Sequence, residues 1–225
     1  MKQRQKKPID YWQPQPKQRL LLEIAGLADA LEGGPVHPAL TNYIGYGGAA
    51  GGGKTEGMLG LSMVALTKIP GVRIGFFRRK FTELEGSDGP IERTMYLFPQ
   101  IGGKYNKSSH VWRFGEGGVD FNEGTAPAFR FCHCQYENTV HDYQSSAFDI
   151  LLFDETTHFT WNQVRYLLTR NRVSRHSKIP RPFSVMATNP GNVGHMWYKQ
   201  VYDIKSHADE KRGLVKHKRS KTNAI

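Results

Sequence analysis

A chain of 225 residues with 38% hydrophobic content can bury one substantial α/β core, and nothing in its middle reads as a linker between two domains. Its 31 Lys and Arg against 20 Asp and Glu give a net charge of +11, which makes an acidic polymer such as DNA or RNA a natural partner. No apolar run approaches a bilayer span, the N-terminus lacks a signal-peptide core, and the two cysteines, Cys132 and Cys134, form no zinc pattern, so a cytosolic, reducing setting with structural thiols is expected.

Residues 1–16 are basic and rich in Gln and Pro, and are expected to be loose, with Lys2, Arg4, Lys6 and Lys7 forming a solvated charge run. Leu20, Leu21, Ile24, Leu27 and Leu31 recur at helical spacing and predict one helix over 18–31, stopped by Gly33, Gly34 and Pro35. A short strand over 43–47 follows, then a glycine-rich loop, then a helix over 54–67 that Pro70 ends. The next strand, 72–79, exits with Arg78, Arg79 and Lys80 on the edge where open α/β sheets bind ligands. Residues 81–98 read as helix broken at 86–90, and 102–136 as a β-rich excursion with strands at 111–114, 119–122 and 129–136. The remaining elements are a buried strand over 148–155, a helix over 161–172, a buried strand over 183–188 and a last helix from His195 to about residue 205. A second run of basic residues, from Lys211 to Lys221, closes the chain.

Residues 48–55 read Gly-Ala-Ala-Gly-Gly-Gly-Lys-Thr, fitting G-x-x-x-x-G-K-[ST] between a strand and a helix. Gly48, Gly51, Gly52 and Gly53 let successive backbone N–H groups converge on phosphate oxygens, and the helix start adds its positive dipole. Lys54 would reach the β- and γ-phosphates of a nucleoside triphosphate. Thr55 would offer its hydroxyl to Mg²⁺, a hard cation that prefers oxygen. About a hundred residues later, Phe-Asp-Ile-Leu-Leu-Phe-Asp-Glu at 148–155 reads as a buried parallel strand delivering two carboxylates at its C-terminal end. Asp154 would hold the metal through water, while Glu155 would orient or deprotonate the attacking water.

Five pieces in order resemble the ATPase domain of the large terminase subunit of tailed bacteriophages. They are residues 46–55, the Phe76-Phe77-Arg78-Arg79-Lys80-Phe81 stretch, Tyr143-Gln144 ahead of the acidic strand, residues 167–172, and Ala187-Thr188-Asn189-Pro190-Gly191. The resemblance covers roughly residues 15–205. It implies a P-loop NTPase fold of the RecA-like, additional-strand, catalytic-glutamate type, in which a mostly parallel sheet is flanked by helices and carries a β-rich insertion before the Walker B strand. It also implies an ATP- and Mg²⁺-dependent motor that drives double-stranded DNA into a procapsid. Its partners would be the portal and the small terminase subunit, and it would work as a homo-oligomeric ring in the host cytoplasm.

In that scheme residues 1–16 are a flexible basic segment, 17–205 the ATPase domain and 206–225 a basic tail. The nuclease that normally follows is not expected here, since no carboxylate cluster follows Gly191. By the same resemblance Thr188 and Asn189 couple hydrolysis to movement, although Asn-Pro-Gly also suits a plain turn. Gln18 matches the family's adenine-reading glutamine or is a polar surface residue. Where many members place an arginine in the loop, this chain has Ala50, so a charge-stabilising arginine must come from elsewhere. Arg78 and Arg79 are candidates within the chain, with Arg79 assigned to the cofactor, while Arg165, Arg170 and Arg172 are candidates for reaching a neighbouring subunit's ATP. Two rival readings share these features: a helicase or other nucleic-acid remodeller, and a nucleotide-binding subunit with slow turnover.

Overall fold

The computed structural model describes residues 7–48, 51–115, 125–189 and 191–202. Seven strands build one sheet: β1 Tyr43–Gly47, β2 Arg73–Arg78, β3 Gly103–Asn106, β4 Val111–Phe114, β5 Ala128–His133, β6 Ile150–Phe153 and β7 Phe183–Thr188. They lie in the order β1-β7-β6-β2-β5-β4-β3. The pairs β1–β7, β7–β6, β6–β2 and β2–β5 are parallel, while β4 runs antiparallel to β5 and to β3.

The helices are α1 Pro16–Ile24, α2 Ala28–Leu31, α3 Lys54–Lys68, α4 Thr82–Glu85, α5 Pro90–Leu97, α6 Trp161–Leu168 and α7 His195–Tyr202. Alternation along β6 shows how they sandwich the sheet. Ile150 and Leu152 join a core with residues of α1, α2, α3 and α5, whereas Leu151 and Phe153 join a second core with Val164 and Leu167 of α6 and Tyr198 and Tyr202 of α7. A strand covered on both faces needs a continuous apolar run, which is why 150–153 reads Ile-Leu-Leu-Phe. Cys132 and Cys134 share the second core, and burial pushes both thiols up to about 12.

Several expected boundaries shift for identifiable reasons. The single helix over 18–31 divides, because Gly26 adopts φ 73° and a Cβ there would stand 2.2 Å from the His37 carbonyl oxygen. The helix over 161–172 stops at Leu168, since the following residues pair with the start of β6 instead. The Phe148 N–H donates to the Arg170 carbonyl at 2.9 Å, and the Asn171 amide donates to the carbonyls of Phe148, Asp149 and Phe183. Between residues 102 and 136, two expected strands appear as β4 and β5, and β3 joins them in extending the same sheet. The strand expected over 119–122 lies outside the described residues, as do residues 1–6 and the basic tail 206–225.

The expectation of a loose N-terminal segment fails for its second half. Pro8 is buried, and Trp12 is only 6% exposed, its indole filling the space over Gly60 of α3, where a Cβ would come within 2.2 Å of the ring. Trp12 therefore belongs to the core, with Ile9 and Tyr11 packed against it. Trp12→Ala should lower stability by about 3–5 kcal/mol, the usual cost of emptying a buried tryptophan site. An unchanged urea unfolding midpoint would show that this segment is dispensable.

Candidate active site

β1 feeds the glycine loop, and α3 begins at Lys54 behind Gly53, which stands in the left-handed region at φ 66°. Gly51 does likewise at φ 74°, so both positions favour glycine. The loop is braced from outside by Gln18. This side chain is 3% exposed, donates from Nε2 to the Gly53 carbonyl at 2.9 Å and accepts from the Gln15 N–H at 2.8 Å.

Lys54 is 7% exposed, and its Nζ donates to the Gly48 carbonyl at 3.1 Å and to Asn189 Oδ1 at 2.6 Å. Burial lowers its pKa from the ordinary lysine value, opposed by the nearby Glu155 and Asp154 charges. The other end of the same amide reaches the acid: Asn189 Nδ2 donates to Glu155 Oε1 and Oε2 at 3.0 and 3.2 Å. Thr55 Oγ1 donates to Asp154 Oδ2 at 3.0 Å. Lys54, Thr55, Asp154, Glu155 and Asn189 thus meet at one end of the sheet, where β1, β6 and β7 all deliver their C-terminal ends.

The two acids are held differently. Asp154 is 1% exposed, and its Oδ2 also accepts from Arg78 Nε and Nη2 at 2.9 and 2.7 Å. Its Oδ1 is buried without a hydrogen-bond partner among the described residues. An orphaned carboxylate oxygen beside a threonine hydroxyl is a donor set that fits Mg²⁺ or one of its waters. Glu155 leaves the strand in the left-handed region, at φ 51° and ψ 51°, a conformation unusual for a glutamate. Threonines hold this turn against β7. Thr156 Oγ1 donates to the Ala187 carbonyl at 2.9 Å, and the Thr157 and Thr188 hydroxyls are 2.7 Å apart. Sequence reading passed over Thr156 and Thr157, although two hydroxyls directly after the Asp-Glu pair are a legible stitching signal.

Not every candidate joins this cluster. Arg79, expected at the cofactor, is committed elsewhere: it donates to the carbonyls of Gln135 and His158, both at 2.8 Å, and to Gln163 Oε1 at 3.0 Å. Adjacent strand residues point to opposite faces, so Arg78 reaches Asp154 while Arg79 turns to the α6 side. Gln18, matched to an adenine-reading glutamine or to a polar surface residue, is buried and donates its amide to the loop backbone. Arg170 donates to Thr169 Oγ1 at 3.0 Å and lies over the Tyr166 ring. Arg170 and Arg172 pair with Phe148 at the start of β6, roughly 20 Å along the strand from Asp154. Arg165 is exposed on α6. Ala50 and Pro190 lie outside the described residues.

This fold is that of large terminase ATPase domains. The large terminase of a thermophilic bacteriophage superposes with TM-score 0.57 at 18% identity, over 88% of this chain and 44% of that one. The same protein has also been solved in complex with ADP. The large terminase ATPase domain of Thermus phage P74-26 gives TM-score 0.51 at 12% identity, over 87% of this chain and 72% of that one. The Phi-28 gp11 DNA packaging motor gives 0.50 at 17%, over 93% and 58%. The chain thus spans under half the length of the thermophilic-phage terminase. No family model matches the sequence, and no curated protein matches it.

If Gln18 braces the loop, Gln18→Ala should weaken ATP and GTP binding alike, by about fivefold for one hydrogen bond worth ~1 kcal/mol. Loss confined to ATP would make it a base reader instead.

Proposed function

We propose that this chain is the ATP-hydrolysing domain of a viral DNA-packaging motor, a terminase large-subunit ATPase that powers movement of double-stranded DNA into a procapsid. The observation that carries the reading is the single bonded chain from Lys54 through the Asn189 amide to Glu155, with Thr55 and Asp154 beside it. Those are the groups that triphosphate hydrolysis requires, delivered from neighbouring strand ends. β7 lying between β1 and β6 supports the additional-strand, catalytic-glutamate subtype, with the β3–β5 region as its β-rich insertion.

In this reading the loop glycines Gly48, Gly51, Gly52 and Gly53 and the first turn of α3 receive the phosphates. Lys54 exchanges the Asn189 oxygen for β- and γ-phosphate oxygens. Thr55, and Asp154 through water, would hold Mg²⁺, which when bound would neutralise charge on the phosphate oxygens. Glu155 accepts a proton from the attacking water as it approaches the γ-phosphate. Asn189, freed from Lys54 but still bonded to Glu155, carries the change to Thr188 and Thr157, which is how Thr188 and Asn189 couple turnover to movement.

Arg165, Arg170 or Arg172 would complete a neighbouring subunit's site within a ring, because within one chain Arg170 and Arg172 stand at the opposite end of β6. The +11 charge supports a DNA partner. Portal, procapsid and small-subunit contacts in the host cytoplasm follow from the motor reading.

Glu155→Gln should lower phosphate release by about 10²- to 10⁴-fold with ATP binding retained, the usual contribution of a general base. Lys54→Ala should abolish triphosphate retention in a filter assay. Equal turnover in the first variant, or equal affinity in the second, would refute these assignments.

A further inference from the structure

At the end of the sheet opposite the Lys54–Glu155 cluster lies a cleft of about 360 Å³, lined by arginines that the proposed chemistry does not use. Strand register explains it. Arg73, Ala128 and Arg113 stand side by side across β2, β5 and β4, and Gly75, Arg130 and Val111 form the next row on the same face. The Phe148 ring packs over Gly75, while Ala128 supplies almost no side chain, so the arginines beside Ala128 wall a hollow. Arg175 and His176, on the segment after α6, close it from the other side.

Four arginines and one histidine line this hollow. No acidic residue lines it among the described residues. The nearest carboxylate, Asp149, is fully buried and is occupied by the N–H groups of Arg73 and Ser174, both at 2.7 Å, and by the Ser174 hydroxyl at 2.8 Å. Burial, and after it the neighbouring Arg113, lower the pKa of Arg73, opposed by the nearby Asp149 charge. Arg130 and Arg175 are exposed at the rim. Guanidinium forks around a concave site are suited to phosphate oxygens, and the volume leaves room for the attached sugars.

We propose that this cleft binds the phosphodiester backbone of a nucleic acid. It rests on the reading of nucleic acid as the polymer partner, and it is separate from the triphosphate site: Arg73 starts β2 and Arg78, bonded to Asp154, ends it, roughly 16 Å away. The site tracks backbone and carries no base preference.

The test is duplex binding by fluorescence anisotropy across a salt series, comparing the parent with Arg113→Ala/Arg130→Ala/Arg175→Ala and with a charge-matched control, Lys68→Ala/Arg181→Ala/Lys199→Ala. The cleft variant should lose about 10- to 100-fold in affinity, and its log–log salt slope should fall by up to about 3, near 0.9 per lost phosphate contact. ATP affinity and basal hydrolysis should match the parent, and the control should keep most of its duplex affinity. Parent-like duplex binding by the cleft variant, or an equal loss in the control, overturns the cleft while leaving the polymer reading intact. A parent that binds no duplex overturns both. In a third arm, inorganic phosphate is titrated at constant ionic strength. Phosphate binding that the cleft substitutions abolish, alongside unchanged duplex binding, would make this a small-anion site and remove the nucleic-acid assignment.

Discussion

One carboxamide joins the two halves of this site. Asn189 accepts from Lys54 and donates to Glu155, so a nearly buried ammonium and a carboxylate are linked through a neutral group that satisfies both. Burying an amine without such partners would cost several kcal/mol or force it to lose its proton. The amide thereby stabilises Lys54 in a position facing the glycine loop while leaving its charge available to a stronger acceptor. A phosphate oxygen is such an acceptor, and the exchange needs little more than a side-chain movement.

Everything else in the fold serves to bring three strand ends to that amide. β7 must lie between β1 and β6 for Asn189 to reach both Lys54 and Glu155, and the parallel register of these strands puts all their C-terminal ends on one edge. Thr156 and Thr157 then pin the turn after β6 to β7, which stabilises Glu155 in its left-handed conformation. Arg78 pairs with one oxygen of Asp154 and leaves the other buried and unbonded among the described residues, which suits the proposed cation. In the proposed reading a bound phosphate would disturb Lys54 first, Asn189 second and the threonine-stitched turn third.

Much of this was legible in the residues. The glycine-lysine-threonine loop and the apolar run ending in two acids fix their own local conformations, and parallel strands bring their ends together whatever lies between them. What could not be read was commitment. Arg78 and Arg79 are chemically identical neighbours, and only the pleat decides that one meets Asp154 and the other the α6 side. Gln18 sits in a segment whose role as a brace depends on Gly53, 35 residues away. The boundaries that moved did so because tertiary pairing outweighed helical periodicity: Gly26 makes a turn against His37, and Asn171 is taken by carbonyls just ahead of β6 and at the start of β7. Trp12 lies in a polar, proline-rich stretch whose composition resembles disorder, and one aromatic ring packed over a glycine reverses that expectation.

A crystal structure with Mg²⁺ and a non-hydrolysable ATP analogue would test the central claim most directly. The account requires the γ-phosphate between Lys54 Nζ and the Glu155 carboxylate, the cation at Thr55 Oγ1 on the side of Asp154 Oδ1, and the Lys54–Asn189 bond broken. An analogue bound anywhere else, or a Lys54–Asn189 bond that survives full occupancy, would contradict it.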